Sequence, residues 1–171
     1  TGYAAATAIG VPGEASSLHL HFLAARRPGV PIENPRQVSA WEYPREYGPA
    51  APGFSRAMLL EWCTPPLLLV SGTASVVGHA STHDEALAQL DEALNNIEIV
   101  LERAAQRVGV AARLDRHSLL RVYVRHPGDA AKLSARLFAR LGHEVPFMIL
   151  HGDICRRELL VEVEGVHTFV G

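Results

Sequence analysis

THDEALAQLDEALNNIEIVLERAAQRV, residues 82–108, carries the clearest structural signal in this chain. Its apolar residues recur every three or four positions, which places them along one side of a long α-helix. They are Leu87, Leu90, Leu94, Ile97, Leu101, Ala104 and Val108. Thr82 and Glu85 fit a capping box at the helix start, and Gly109 is suited to end it. A helix with one apolar side must pack on another element, and we expect that element to be a β-sheet.

Apolar and β-branched runs on both sides of this helix predict the strands of that sheet. They fall at residues 18–25, 58–62, 66–70, 118–125, 145–150 and 159–170. A second helix is predicted for residues 129–141, and Gly142 ends it. From about residue 56 the order is β-β-α-β-α-β-β. It indicates an α+β fold in which two helices pack on one face of a mostly antiparallel sheet.

The stretch DICRRELLVEVE, residues 153–164, contains a thiol, two arginines and, at alternate positions of its apolar run, the two carboxylates of Glu162 and Glu164. Strand side chains alternate between faces, so Glu162 and Glu164 share one face with Leu160. A carboxyl buried on such a face is costly unless it is paired or kept protonated, and with Cys155 nearby it would make a proton donor. The alternative is that this face meets water and both glutamates are ordinary surface charges.

Two further stretches allow a functional and a structural interpretation. Residues 26–56 are rich in proline, which excludes long helices, and they contain WEYPREYGP with Arg45 between Tyr43 and Tyr47. This pattern fits either an anion-binding arginine lined by phenols or an ordered loop with Arg45 in a surface ion pair. The small residues of SGTAS (71–75) fit either a close approach of a ligand or a strand end with a β-bulge, and their spacing does not match a phosphate loop.

Composition limits the classes of function. The chain has 171 residues, with 48% hydrophobic and 20% charged, which is typical of a soluble globular protein. Its net charge of −2 without a basic block argues against nucleic acid as a partner. No apolar run reaches the ~20 residues that span a bilayer, so we expect no membrane partner. His19 and His21 share a strand face but lack a third ligand nearby, so no metal is expected.

Cysteine usage and the first residues bear on the compartment. Two cysteines, Cys63 and Cys155, are too few for a disulfide framework and fit a reducing cytoplasm. Residues 1–10 lack the basic start and apolar core of a signal peptide. The missing initiator Met indicates a fragment, a processed chain or trimmed numbering.

Several segments together resemble the YjgF/RidA superfamily, and more closely its chorismatase branch. They are SGTASVVGH (71–79), the long helix, VYVRHPGD (122–129), VPFMILHGDICRRELLVEVEGV (145–166) and the upstream PIENPRQVSAWEYPREYGPAAPGFSRA (31–57). The resemblance implies a RidA/chorismate mutase-like fold and cleavage of the enolpyruvyl ether of chorismate, without a cofactor. The products would be pyruvate and either 3-hydroxybenzoate or a dihydroxycyclohexadiene carboxylate. It also implies a homo-oligomer, in particular a trimer.

The resemblance also implies roles for individual residues. Glu162 matches the catalytic acid of chorismatases, and Cys155 matches the cysteine of those that make 3-hydroxybenzoate. Tyr43, Arg45 and Tyr47 lie in the segment that resembles the substrate pocket. Arg45 is the first candidate for a substrate carboxylate, and Arg56 and Arg156 follow it.

Two departures from the family pattern limit what is carried over. Chorismatases are longer, so residues 1–55 resemble the tail of an amino-terminal domain and residues 56–171 a RidA-like domain. Phe147 stands where deaminating RidA proteins have an arginine, which argues against imine or enamine hydrolysis. The rival functions are a RidA-like small-molecule binder or imine hydrolase, a non-catalytic trimeric scaffold, and an RNA-cleaving or translation-inhibiting activity. The lack of clustered Lys and Arg argues against the last of these.

Overall fold

The computed structural model describes residues 2–11 and 17–170, which form an α+β structure. The strands are β1 (Val30–Ile32), β2 (Ala57–Leu60), β3 (Leu67–Ala74), β4 (Val76–Val77), β5 (Ala80–Ser81), β6 (Ser118–Val124), β7 (Phe147–His151) and β8 (Val161–Thr168). The helices are α1 (Ala86–Val108) and α2 (Ala130–Leu141), with short 3-10 helices at Ala40–Glu42, Arg45–Tyr47 and Pro127–Asp129. No helix in the described ranges is both long and apolar enough to cross a bilayer.

One six-stranded sheet organises the molecule, in the order β1-β2-β3-β8-β6-β7. All neighbours are antiparallel except β6 and β7, which run parallel. Parallel strands need a crossover connection, and α2 supplies it. The small β4–β5 hairpin was not predicted. The predicted α+β class, with a mostly antiparallel sheet, is confirmed.

The two helices cover one face of this sheet. Leu90, Leu94, Ile97 and Leu101 of α1 are fully buried in one cluster with Leu68 of β3 and with Val161 and Val163 of β8. Burying one such leucine stabilises the fold by about 2 kcal/mol. Because side chains alternate along β8, Glu162 and Glu164 lie on the opposite face of the sheet. We call that opposite side the acid face.

The start of α1 differs from the prediction. The helix begins at Ala86, and the capping box of Thr82 and Glu85 is wrong because Glu85 is itself the extended residue before the helix. Thr82 instead meets Ser75: the Ser75 hydroxyl donates to the Thr82 carbonyl at 2.6 Å. Gly109 ends the helix in the left-handed conformation, with φ 77°, as predicted.

The predicted strand at residues 18–25 is also wrong. This segment has no regular structure, and its side chains are exposed, including Leu18, Leu20 and Phe22. Alternation of apolar residues produces a strand only where a neighbouring backbone pairs with it and a face is buried, and this segment has neither among the described residues. His19 and His21 are exposed there as well.

Residues 71–74 form the end of β3 and contain a β-bulge, as one of the two interpretations predicted, and Ser75 follows the strand. The register with β8 shifts between Val70, which pairs with Gly165, and Thr73, which pairs with Val163. A bulge adds a residue on one strand and bends it locally. It places Gly72 beside Glu162, at the centre of the acid face. The division of the chain at residue 55 stays a prediction, although β1 belongs to the same sheet.

Candidate active site

Two carboxylates lie on the acid face of β8, and both are removed from solvent. Glu162 is 5% exposed and Glu164 is 9% exposed, so the interpretation as ordinary surface charges is wrong. Their environments differ strongly, although they are two residues apart on one strand. Pairs of carboxyls with different surroundings are how enzymes separate a proton donor from a permanently charged group.

Glu164 is fully paired. Tyr123 Oη donates a hydrogen bond to Glu164 Oε1 at 2.6 Å, and Arg121 Nε lies 2.8 Å from the same oxygen. Burial and the neighbouring Glu164 charge raise the pKa of the Tyr123 phenol, which keeps it as a hydrogen-bond donor. One oxygen of the Glu164 carboxyl is therefore bound by both a phenol and a guanidinium.

Glu162 has no such partners. No hydrogen bond or ion pair joins its carboxyl to any other residue in the described ranges, and it lies one position along the acid face from the negative Glu164. Burial, and then the charge of Glu164, raise its pKa from 4.5 to about 7. The carboxyl is thus poised to carry a proton near neutral pH and to give it up.

Residues 4–10 cover this carboxyl, and we call them the strap. The strap binds backbone groups on both sides of β8: the Ala4 carbonyl accepts from Ser55 N at 3.0 Å, and Gly10 exchanges two hydrogen bonds with Asp153 at 2.7 and 2.8 Å. Between these ends, Thr7 Oγ1 accepts from Gly72 N at 2.9 Å.

The absence of a side chain at Gly72 makes this arrangement possible. A Cβ there would collide with the Glu162 carboxyl and would lie 3.0 Å from Thr7 Cγ2. Glu162 therefore packs against the bulge of β3 close to the strap, and only 5% of it is exposed. Residues 1–14 showed no periodicity in the sequence, so no pattern there could have revealed the strap.

Glu162 should make the stability of the protein depend on pH. Its neutral form is favoured in the folded state, whereas the unfolded chain ionises near 4.5. The free energy of unfolding should therefore be highest below about pH 4.5 and fall by about 3 kcal/mol as the pH rises through 7. Chemical denaturation of the wild type and of Glu162→Gln at several pH values measures this, and the slope difference between them should vanish above pH 8. Equal slopes between pH 4.5 and 7 would contradict the raised pKa.

Cys155 lies on the loop that connects β7 to β8, here called the 153–160 loop. The residue is exposed, yet partial burial of its sulfur, and then the negative charge of Glu162, raise the pKa of the thiol. The Arg156 guanidinium acts on the same thiol in the opposite direction. The structure thus brings Cys155 within electrostatic reach of both Glu162 and Arg156, mostly as a neutral thiol rather than an activated thiolate.

Two guanidiniums and two phenols form an arginine–tyrosine cluster: Tyr43, Tyr47, Arg56 and Arg156. The Arg156 guanidinium carbon lies 3.8 Å from the Tyr47 ring centre and 5.2 Å from that of Tyr43. Arg56 approaches Tyr43 from another side and donates from Nη2 to its hydroxyl at 2.7 Å. Tyr43 therefore contacts both cations, and the predicted residues Tyr43, Tyr47 and Arg56 are brought together.

Arg56 is a buried cation with unused hydrogen-bonding capacity. It is 4% exposed, its Nη2 also donates to the Val38 carbonyl at 2.9 Å, and its Nε has no partner within the described part of the chain. The nearby Glu33 carboxyl contacts only its backbone nitrogen, and burial raises the pKa of that carboxyl. A buried guanidinium without a carboxylate partner is costly unless an anionic ligand compensates its charge.

Arg45 is placed differently from the prediction that made it the first candidate. It begins an exposed 3-10 turn, while the neighbouring Tyr43 and Tyr47 turn toward Arg56 and Arg156. The sequence motifs offered Arg45, Arg56 and Arg156 alike as candidates for binding an anion. Only burial in the folded structure distinguishes them. Phe147, the position expected to hold arginine in deaminating proteins, packs its ring 5.0 Å from that of Phe138.

The described residues of the acid face hold no metal-binding cluster, and a groove lies elsewhere. Within residues 2–11 and 17–170, no group of three His, Cys, Asp or Glu side chains is arranged to bind a metal. A groove of about 1100 Å³ lies at the carboxyl ends of α1 and α2, lined by residues that include Leu101, Arg113, Leu141 and His143. That groove contains none of the candidate site residues.

Comparison with known proteins gives the relationship. No protein-family model matches the chain. A chorismatase from Streptomyces rapamycinicus is 39% identical over 179 residues, which covers 95% of this chain and 50% of the relative. A 3-hydroxybenzoate synthase from Streptomyces hygroscopicus is 39% identical over 173 residues, covering 96% of this chain and 50% of the relative. The chain is a relative of the chorismatases. It spans about half the length of the curated chorismatase relatives it matches.

Solved structures agree with the relationship. A chorismatase crystal structure superposes with a TM-score of 0.74 at 34% identity, covering 82% of this chain and 44% of that chorismatase. A YjgF-family protein from Neisseria meningitidis gives a TM-score of 0.53 at 19% identity, covering 71% of this chain and 92% of that protein. The second likeness concerns the fold alone. The resemblance to chorismatases and to the YjgF/RidA-like fold is thereby confirmed.

Proposed function

We propose that the acid face is the active site of a chorismatase, which cleaves the enolpyruvyl ether of chorismate and releases pyruvate. The observation that carries this proposal is the contrast between the two glutamates. Glu164 is an anion paired with Tyr123 and Arg121, whereas Glu162 is buried, unpaired among the described residues and has a pKa of about 7. The names of the relatives support the same reaction.

Glu162 is the general acid in this proposal. Its proton goes to the terminal methylene carbon of the enol ether, which leaves a positive oxocarbenium centre beside the new carboxylate. Water, or a hydroxyl of the substrate ring, then attacks that centre. The bond between the attacked carbon and the ether oxygen breaks as pyruvate is released. Attack by water gives the dihydroxycyclohexadiene carboxylate. Formation of 3-hydroxybenzoate consumes no water overall, because pyruvate and 3-hydroxybenzoate together have the composition of chorismate.

The arginine–tyrosine cluster is the proposed anion site. Chorismate carries two carboxylates, and the cluster offers two guanidiniums, of which Arg56 is buried with a free Nε. Planar guanidiniums bind carboxylates through paired hydrogen bonds, and Tyr43 and Tyr47 hold the two cations in place through their rings. Arg45 remains a candidate for a contact at the outer rim. We also propose that the protein is a homo-oligomer, in the form of a trimer.

The direct test is to incubate the purified protein with chorismate and to identify the products by mass spectrometry. Pyruvate together with 3-hydroxybenzoate or the diene acid is the result we expect. A parallel assay with a reactive imine addresses the rival RidA-like hydrolase. Imine hydrolysis without any pyruvate release from chorismate would overturn the proposal.

Cys155 should determine which product is formed. In Cys155→Ala, we expect pyruvate release to continue, because Glu162 still donates the proton, and the product ratio to shift away from 3-hydroxybenzoate. The expected change in the ratio is about tenfold or more, since steering groups commonly act on the order of 1–3 kcal/mol. Chromatographic quantification of both ring products measures it, with Cys63→Ala as the matched control. An unchanged ratio would remove the thiol from the chemistry.

A further inference from the structure

The 153–160 loop carries Cys155 and Arg156, yet it lies outside the strand ladder. Its residues belong to neither β7 nor β8, and its backbone hydrogen bonds to other segments lie at its ends, between Asp153 and Gly10 and between Leu160 and Arg125. Residues in such loops normally owe their position to side chains of other elements. Two buried or half-buried side chains contact this loop, one from the end of β6 and one from α1.

Arg125, directly after β6, extends its side chain into the 153–160 loop. Its Nη2 donates to the carbonyls of Ile154 at 2.7 Å and Arg156 at 2.9 Å, and its Nε donates to the Leu159 carbonyl at 2.8 Å. Its Nη1 forms an ion pair with Asp153. The carbonyls on either side of Cys155 are therefore held by one nitrogen of one guanidinium.

Gln89 holds the far end of the same loop. This fully buried side chain of α1 donates from Nε2 to the Glu158 carbonyl at 2.9 Å, and its Oε1 accepts from Leu160 N at 2.7 Å. Near Cys155, the Arg156 side chain binds the His79 carbonyl and the Ser81 hydroxyl, and Arg125 is the side chain that binds the carbonyls on both sides of the thiol. The Gln89 contacts lie next to β8, whereas those of Arg125 flank the thiol itself.

We propose that Arg125 is a positioning residue for the reaction. Its guanidinium sets where the Cys155 thiol and the Arg156 guanidinium lie relative to Glu162, and so controls product choice and binding of the substrate. The chemical part of this inference rests on the proposed chorismatase function, whereas the geometric part does not.

The four acceptors explain why arginine is needed at this position. A guanidinium presents five donors in a rigid plane, which suits several acceptors at fixed directions. A lysine places three donors on one atom at the end of a flexible chain. Lysine therefore keeps the charge opposite Asp153 but cannot reach the carbonyls of Ile154, Arg156 and Leu159 together.

The experiment uses Cys63→Ser as the background, so that Cys155 is the only thiol. Arg125→Lys, Arg125→Met and Asp153→Ala are compared with the control Arg136→Met, an arginine on α2 whose Nη1 lies 2.8 Å from Asp91. For each variant, the rate of alkylation of Cys155 by iodoacetamide, the product ratio from chorismate, and kcat and KM are measured. Thermal unfolding identifies the variants that remain folded, and Asp153→Ala changes only an exposed partner of the guanidinium.

We expect iodoacetamide to react with Cys155 about tenfold faster in Arg125→Met, because the loosened loop leaves the sulfur hydrated and accessible. Arg125→Lys should fall between wild type and Arg125→Met, and the control should match wild type. KM and the product ratio should change together with alkylation. Unchanged alkylation and product ratio in folded Arg125→Lys and Asp153→Ala would overturn the inference. If alkylation is faster in Arg125→Met but the parent protein itself releases no pyruvate from chorismate, the positioning role stands and only the proposed function is lost.

Discussion

Replacing Glu162 by glutamine should lower the rate of pyruvate release from chorismate by about 100-fold or more, the usual contribution of a general acid. Glutamine keeps the size and hydrogen-bonding shape of the protonated carboxyl but cannot deliver a proton. The bulge at Gly72 and the strap should accommodate it unchanged, because the carboxyl is mostly neutral there. A coupled assay for pyruvate measures the rate, with Glu102→Gln on the exposed side of α1 as the control.

The pH dependence of the wild-type enzyme provides a second measure of the same role. The acid must be protonated before it reacts, so the rate should fall as the pH rises past about 7, the pKa of Glu162. The lost activity should return when the pH is lowered. Turnover of Glu162→Gln within a few-fold of wild type would exclude this carboxyl as the proton donor.

Replacing Arg56 by methionine should lower kcat/KM for chorismate by about 100-fold, because loss of one partner of a buried charged pair costs 2–5 kcal/mol. The main effect should be on KM, since the substrate carboxylate loses its buried cation. Steady-state kinetics over a wide range of chorismate concentration separates KM from kcat. Arg56→Lys should recover part of the affinity, because it restores the charge without the planar fork.

Comparing Arg45→Met with Arg56→Met tests whether the exposed or the buried arginine binds the substrate carboxylate. Arg45→Met removes an exposed cation from the same segment, so we expect its kcat/KM to change much less than that of Arg56→Met. Thermal unfolding of both variants checks that the short 3-10 turn and β2 remain intact. A larger loss in Arg45→Met than in Arg56→Met would assign the anion site to the outer arginine instead.

The fold was predictable where local patterns and tertiary packing agree. The apolar stripe of α1 has the helical period over 23 residues and therefore predicts both the helix and the sheet beneath it. The prediction failed at residues 18–25, where alternation exists without a partner strand, and at Thr82, whose hydroxyl contacts Ser75 instead of capping the helix. At residues 18–25 the tertiary partner that the local pattern needs is missing, and at Thr82 a tertiary hydrogen bond replaces the local one.

The shared strand face of Glu162 and Glu164 was predictable, whereas the surroundings of the arginine candidates were predictable only in part, and the roles of these residues stay predictions. Alternation along β8 places Glu162 and Glu164 together, but their pairing depends on Tyr123 and Arg121, which lie on another strand. The choice between Arg45 and Arg56 depends on burial, which spacing does not encode. Arg125 lies in a segment that the sequence analysis treated as the end of a strand, and its donors act on a loop about thirty residues later.

The strap has a consequence for anyone who shortens this protein. The sheet and helices are stabilised by the apolar core between them, to which the strap adds little. The burial of Glu162, in contrast, relies on the strap, which binds the bulge of β3 through Thr7. The smallest piece that folds is therefore smaller than the smallest piece that works. A trimmed version would keep the sheet and helices and still carry a solvated Glu162 with an ordinary pKa.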